Sequence, residues 1–413
     1  MTDISVEADG DLAARYAPRL LLDAREPYRP VAYGYTLFRE PGQSPSSKFL
    51  VEPAGALAIE YAIYYDWDIG HLYDLEHIWV HVDAQGQIVL VEASAHGGRR
   101  VMDAGHGKAR MLDGHPAIYA EAGKHAHWAA PEHMSAADRE KLAVLCGPAA
   151  GIEGVHLGNP FAERGDYLAS EEDHRLARLR MRHDAFVPSH DYLPVADMPA
   201  LMPWADLRAA IPDRVRAELA RLRAGLPRFG AILLDCGDTL VDERTEIKQP
   251  GSEVVLRGDL IPGAAGMVHA LKALGYPLVL VADGPRQSFV NLLGQHGLWE
   301  LFDAHVISED VGALKPDARM FDTALAAIGL TRADAWRCVM VGNNLSRDIK
   351  GANALGITSI FMAWSTLRTH EPIDETEQPD FRIEAPGDLP VLLDSLEPLL
   401  RFKGRSPMPK AVS

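Results

Sequence analysis

Two different patterns of apolar and polar positions divide the chain. From Tyr16 to about Val195 the apolar residues come in short alternating runs set off by Gly, Pro and Asp. Alternation with period two puts every second side chain on one face, so this half is expected to form antiparallel sheets packed as a β-sandwich with long loops. The clearest strands are 56–67, 75–82 and 87–93, and the run Val82-Asp83-Ala84-Gln85-Gly86-Gln87 reads as a hairpin in which Gly86 can take a positive φ. A Ser135 cap is expected to start a short helix over 136–145. The pattern breaks at the proline-containing stretch 197–204. An amphipathic helical pattern follows over 205–226, which Pro212 should divide in two.

From Arg228 onward, buried strands alternate with helices. Strands are expected at 231–235, 277–281, 305–308, 338–341 and 358–362, with helices at 263–274, 285–296, 317–328 and 346–355. That βαβ order predicts a doubly wound parallel sheet with every strand tip facing one crevice. The expected organisation is therefore multidomain: a β-sandwich over 1–196, a helical linker over 197–228, an α/β domain over 229–403 and a tail over 404–413.

Composition narrows the partners. A formal charge of −17 repels polyanions, so neither nucleic acid nor an anionic membrane is an expected partner. The acidic start lacks the basic and apolar segments of a signal peptide, and no apolar run is long enough to span a bilayer, which points to a cytoplasmic protein. The 3 cysteines, Cys146, Cys236 and Cys338, form no C-x-x-C pair, so a disulfide framework and a Cys-rich zinc site are both unexpected.

One stretch of the first half carries candidate chemistry. In Gly70-His71-Leu72-Tyr73-Asp74-Leu75-Glu76, alternation sets Asp74 and Glu76 on the face shared by Ile78, Val80 and Val82. Carboxylates on an apolar face need a cation or donors to neutralise them. A second divalent metal would do so, with His71, His96 and His125 or His127 as further ligands; solvated acids and hydrogen-bonded histidines at a sheet edge are the alternative. The G-H-x-x-D-x-E segment, with Tyr16-Ala17-Pro18-Arg19-Leu20, Glu26-Pro27-Tyr28-Arg29-Pro30, His115-Pro116-Ala117-Ile118-Tyr119 and Gly123-Lys124-His125, resembles the β-sandwich of necrosis-inducing toxins and Vps62-like proteins. In the toxins this segment helps hold a divalent ion. His71, Asp74 and Glu76 match it, while Leu72, Tyr73 and Leu75 depart from it, and toxin activity is not expected without a signal peptide.

The second half carries a sharper constellation. Asp235 ends the first buried strand, Lys315 precedes Pro316 at a helix start, and Asp348 follows the fourth strand. A nucleophilic carboxylate, a lysine and a hard-cation site together suit phosphoryl transfer through an aspartyl-phosphate. The set resembles the haloacid dehalogenase superfamily over about 229–400, which implies a Rossmann-like domain using Mg²⁺; the segments from Asp235 to Ala282 and from Ala282 to Lys315 are too short for the large caps that many members insert, so the domain is expected to be capless. The resemblance makes Asp235 the nucleophile, with Thr239 and Lys315 at the phosphate, and it places Asp235, the Gly237 carbonyl, Asp348 and Asn343 at the Mg²⁺. Three positions depart from the family pattern: Gly237 replaces the acid two residues after the nucleophile, Ala282 replaces a hydroxyl, and Asn343 replaces an Asp. Asp238 is offset by one residue and should point elsewhere. Between Asp235 and Ala282 there is room only for a hairpin-like flap near 246–257.

The expected function is a Mg²⁺-dependent hydrolase acting on a small phosphorylated molecule or a macromolecular phospho-substrate, biased to good leaving groups. Two alternatives stand beside it: a degenerate domain that binds a phospho-ligand or organises the chain, and activity at the first half's metal.

Overall fold

The computed structural model describes residues 7–226 and 228–403. The chain forms two compact units, Met1–Leu226 and Pro227–Ser413. Among the described residues no helix is long and apolar enough to cross a membrane, and the 3 cysteines are free and buried. The expected tail at 404–413 lies outside the described residues.

The first unit is rich in strands. Leu57–Trp67 and His71–Val82 pair antiparallel along their length, flanked by Ala32–Phe38 on one side and by Ile88–Ala95 and Gly98–Val101 on the other. Along Leu57–Trp67 the alternation works as read: Leu57, Ile59, Tyr61, Ile63 and Tyr65 join a core with Leu20 and Ile118 of the second sheet, while Ala62 and Tyr64 join another core under helices. The hairpin at 82–87 forms, with Gly86 at φ 78°, and the helix Ala136–Cys146 starts from a Ser135 capping box.

Pairing is not antiparallel throughout. Arg19–Asp23 lies parallel to His115–Ala120, Ala200–Pro203 parallel to Ala32–Phe38, and Gly154–Val155 parallel to the start of His71–Val82. Parallel partners need a long crossover, and each of these pairs is separated by a long stretch of chain that a local alternation pattern does not register.

The connector also differs from expectation. Ala200–Pro203, expected as a break, is an edge strand, a place where a sheet tolerates proline. Trp204–Gly225 is one helix of 22 residues that runs through Pro212. Its residues Leu207, Ile211, Val215, Leu219 and Leu222 bury one stripe in the core of the first unit, and that burial outweighs the ~3 kcal/mol that an interior proline costs. Gly34 lets the helix approach closely, since a Cβ there would sit 2.9 Å from both Leu207 Cδ2 and Trp204 Cε3. The stretch expected as a linker is thus part of the first unit, which ends at Leu226.

The second unit is built on a sheet of 6 parallel strands. Ala231–Leu234 is central. Leu278–Ala282 and Ala304–Ile307 lie to one side, and Cys338–Gly342, Thr358–Met362 and Phe381–Ile383 to the other. The strand Phe381–Ile383 and the helix Asp388–Lys403 were not expected from the pattern. Alternate residues of the central strand enter two cores: Ile232 and Leu234 one, Ala231 and Leu233 the other. A sheet buried on both faces explains why its strands read as unbroken apolar runs. Strand order reverses between Ala231–Leu234 and Cys338–Gly342, where a crevice opens beyond the strand tips. Ile247–Lys248 and Val255–Arg257 pair as the expected small flap.

Candidate active site

Asp235, Lys315 and Asp348 meet in that crevice. Asp235 follows the central strand, and its amide donates to Val341 O at 3.0 Å, so the neighbouring strand fixes its position. Lys315 Nζ lies 2.7 Å from Asp235 Oδ1, 2.6 Å from Asp348 Oδ1 and 2.8 Å from Val281 O. Burial alone would lower the lysine's pKa, but Asp235 and Asp348 overcome it and raise the value, so the ammonium stays charged. Asp348 is buried, and burial together with Asp235 pushes its carboxyl up to about 7 against the pull of Lys315. A π-helical turn at Leu345–Ile349 carries Asp348 inward, and its Oδ2 accepts from Asn344 N at 3.0 Å. Gly342 leaves room for it, because a Cβ there would overlap the Asp348 carboxylate.

Gly237 and Asn343 line the crevice, and Asn343 Nδ2 is buried without a hydrogen-bond partner. Thr239 is not among the residues lining it, and its hydroxyl is buried without a hydrogen-bond partner. Asp238, at φ 47°, turns aside as expected, and its Oδ1 accepts from Glu243 N at 3.0 Å. Asp283 is committed to structure, accepting from Lys315 N at 3.0 Å and facing Arg347 Nη1 at 3.3 Å. Ala282 presents no hydroxyl.

Glu243, Arg368, Arg347 and Lys248 also line the crevice and were not singled out from the sequence. The missing acid at position 237 was a signal that another acid of the same loop, such as Glu243, should be sought. Arg368 follows the fifth strand in the chain, and no local pattern marks it.

In the first unit, the five expected ligands His71, Asp74, Glu76, His96 and His125 do not converge on one ion. Asp74 Oδ2 faces His125 Nδ1 at 2.9 Å, and the His125 ring stacks on Tyr65 at 3.8 Å. Burial lowers the imidazole's pKa, but Asp74 and Glu26 together raise it to about 10. Glu76 is pushed up to about 8 by burial and by Asp74, and it is hydrogen-bonded by Ser94. His96 pairs with Glu121 at 3.0 Å. His125 Nε2, both ring nitrogens of His127 and Glu121 Oε2 are nevertheless buried without a hydrogen-bond partner, and the strand carrying Asp74 and Glu76 lies inside its sheet, so the cluster is not the set of solvated acids at a sheet edge that was the alternative. His71 is held apart from these residues, its Nδ1 lying 2.8 Å from the Tyr73 carbonyl oxygen. It joins Glu153 and His156, the group of His, Cys, Asp or Glu ligand atoms within 4.8 Å of one another among the described residues. The His71 and His156 rings there stack with centroids 4.6 Å apart.

A family profile described as a haloacid dehalogenase-like hydrolase matches residues 113–356, more than half of the chain. Glyceraldehyde 3-phosphate phosphatase of Methanopyrus kandleri is 31% identical over 131 residues, covering 32% of this chain and 53% of that protein. Phosphoserine phosphatase of Thermus thermophilus is 34% identical over 134 residues, covering 32% and 49% respectively. The chain thus spans about half the length of these curated relatives. The solved structure of a magnesium-bound putative HAD-hydrolase from Bacillus subtilis, YfnB, is 18% identical, with a TM-score of 0.34 over 40% of this chain and 99% of that one. No comparison bears out a toxin-like or Vps62-like first half. With the Asp235–Lys315–Asp348 crevice and a matching profile over more than half its length, the chain belongs to the haloacid dehalogenase-like hydrolases.

Proposed function

We propose that the second unit hydrolyses phosphate monoesters or anhydrides of small molecules, with Asp235 as nucleophile. The observation that carries this reading is the convergence of Asp235 and Asp348 on Lys315 Nζ at the crevice where strand order reverses. An Asp235 oxygen attacks phosphorus, the bond to the leaving oxygen breaks, and water then hydrolyses the aspartyl-phosphate. Lys315, buried and held charged, balances the phosphoryl oxygens. The names of the matched relatives, phosphatases of glyceraldehyde 3-phosphate and phosphoserine, support a small phosphorylated substrate.

The donor set fits Mg²⁺: the carboxylates of Asp235 and Asp348, the Gly237 carbonyl and the Asn343 amide, whose buried nitrogen lacks a partner, are hard or neutral oxygen-bearing groups around one crevice. When bound, the ion supplies positive charge at the phosphoryl group. The reading assigns Thr239 no phosphate contact. With Ala282 giving no hydroxyl, phosphate binding relies on Lys315 and on backbone amides of the turn after Asp235.

The test is a panel of phosphoesters and acyl phosphates with Mg²⁺, comparing the wild type with Asp235→Asn. Turnover lost in the variant supports the reading. Turnover that survives the substitution overturns it, and ligand binding without turnover in the wild type favours a degenerate binding domain.

A further inference from the structure

We infer that Glu243 donates the proton to the departing oxygen, standing in for the acidic side chain that position 237 lacks. This rests on the hydrolase reading above. The geometry begins at Gly237. A Cβ built on it would overlap Glu243 Oε1 and lie 3.0 Å from Cδ and 3.1 Å from Cγ. The Glu243 carboxyl therefore lies directly over the Cα of residue 237, two positions after the nucleophile, in space that a side chain at 237 would otherwise fill. Both residues line the crevice with Asp235 and Lys315. Glycine at 237 and the inward pose of Glu243 are one feature: any larger residue would expel the carboxyl.

Two contacts hold Glu243 there. Asp238 Oδ1 accepts from its amide at 3.0 Å, fixing the backbone of the short turn Glu243–Thr245. Arg368 Nη2 donates to both carboxylate oxygens, at 2.9 and 3.0 Å, fixing the side chain. Burial raises its pKa, as do Asp238 and Asp235, while Arg368 draws it down.

The other acids of the crevice are less well placed. Asp283 is bonded to Lys315 N and Arg347, and Glu253 pairs with Lys248 on the flap. Glu246 lies under Gly258, where a Cβ would sit 3.5 Å from its Cγ.

The step balances. As the Asp235–phosphorus bond forms and the phosphorus–oxygen bond to the leaving group breaks, the leaving oxygen takes the Glu243 proton and departs as an alcohol. Water then attacks phosphorus and gives its proton to the Glu243 carboxylate. Inorganic phosphate leaves, and Asp235 and Glu243 return to their starting states.

The test is a leaving-group series of glycerol phosphate, p-nitrophenyl phosphate and acetyl phosphate, with Mg²⁺. A leaving group that needs no proton should not need Glu243. The isosteric Glu243→Gln variant is expected to lose about 10²- to 10⁴-fold in the rate of phosphoenzyme formation from glycerol phosphate, and less than about tenfold from acetyl phosphate. Gly237→Ala keeps the backbone carbonyl and the glutamate but displaces its carboxyl, so it should reproduce the same split. Equal loss on all three substrates, no loss on glycerol phosphate, or the split appearing in Glu246→Gln instead would overturn the assignment. Asp235→Asn separates the two claims: activity surviving that substitution, or a wild type inert on the whole series, defeats the hydrolase reading and the Glu243 assignment with it. Activity lost in Asp235→Asn but unaltered in Glu243→Gln defeats the Glu243 assignment alone.

Discussion

Gly237 and Glu243 share one volume, and that alters what a repaired sequence would do. Restoring Asp at 237 looks like the way to improve the site when only the sequence is considered. Its Cβ would collide with the Glu243 carboxyl, so Gly237→Asp is expected to lower turnover or leave it flat. The double variant Gly237→Asp with Glu243→Ala, which clears the space, should regain activity on alkyl phosphates. Steady-state rates of the two variants check this, and a gain in the single variant would count against the shared-volume account. Asp235, Lys315 and Asp348 were legible from the sequence because each follows or precedes an apolar strand or a proline at a recognisable spacing. Glu243 and Arg368 were not, because their roles come from an empty side-chain position and from a loop far along the chain.

A second residue-scale prediction concerns Glu76. Its folded pKa of about 8 lies above the ordinary carboxyl value, so the folded unit binds an extra proton between the two. Glu76 should therefore make the stability of the first unit fall as pH rises from about 4.5 through about 8, with a limiting slope near 1.4 kcal/mol per pH unit from this group, to which His125, raised to about 10, adds in the same direction above about 6.5. Glu76→Gln removes that proton exchange. Denaturant melts across this range should show a flatter pH profile in the variant; an unchanged profile would place the titration elsewhere.

Among the elements, the helix Trp204–Gly225 departs furthest from what its own sequence implies. Pro212 reads locally as a break, yet the stripe from Leu207 to Leu222 keeps the helix whole against the first unit's sheet. If tertiary burial holds the helix against the proline, Pro212→Ala should restore a backbone donor and stabilise the first unit by about 1–2 kcal/mol, after allowing for the freer unfolded chain. Thermal unfolding measures it, and a destabilised variant would show that the proline is shaped into its site. The parallel pairings of Arg19–Asp23, Ala200–Pro203 and Gly154–Val155 were hidden for a related reason. Alternation reports which face a residue occupies, and it carries no information on which distant strand lies beside it. In the second unit the order of elements itself implies parallel neighbours, so the sheet and its crevice could be anticipated.

For the whole molecule, the boundary between units lies at Leu226 and not before the helix, because that helix belongs to the first unit's core. The two units differ in how directly their chemistry can be read. In the first, Asp74 pairs with His125 and His96 with Glu121, both ring nitrogens of His127 are buried without a hydrogen-bond partner, and among the described residues the five residues expected at an ion do not gather as one ligand group. In the second, two carboxylates are drawn to a single lysine in an open crevice, an arrangement whose buried charges are costly unless it serves a ligand. The proposed hydrolase activity of the second unit therefore rests on Asp235. The most direct test is to quench the wild type and Asp235→Asn during turnover of acetyl phosphate with Mg²⁺ and measure phosphate bound covalently to the protein. The account predicts acid-stable phosphate on Asp235 in the wild type and none in the variant. Turnover with no covalent phosphate, or labelling that persists in Asp235→Asn, would contradict it.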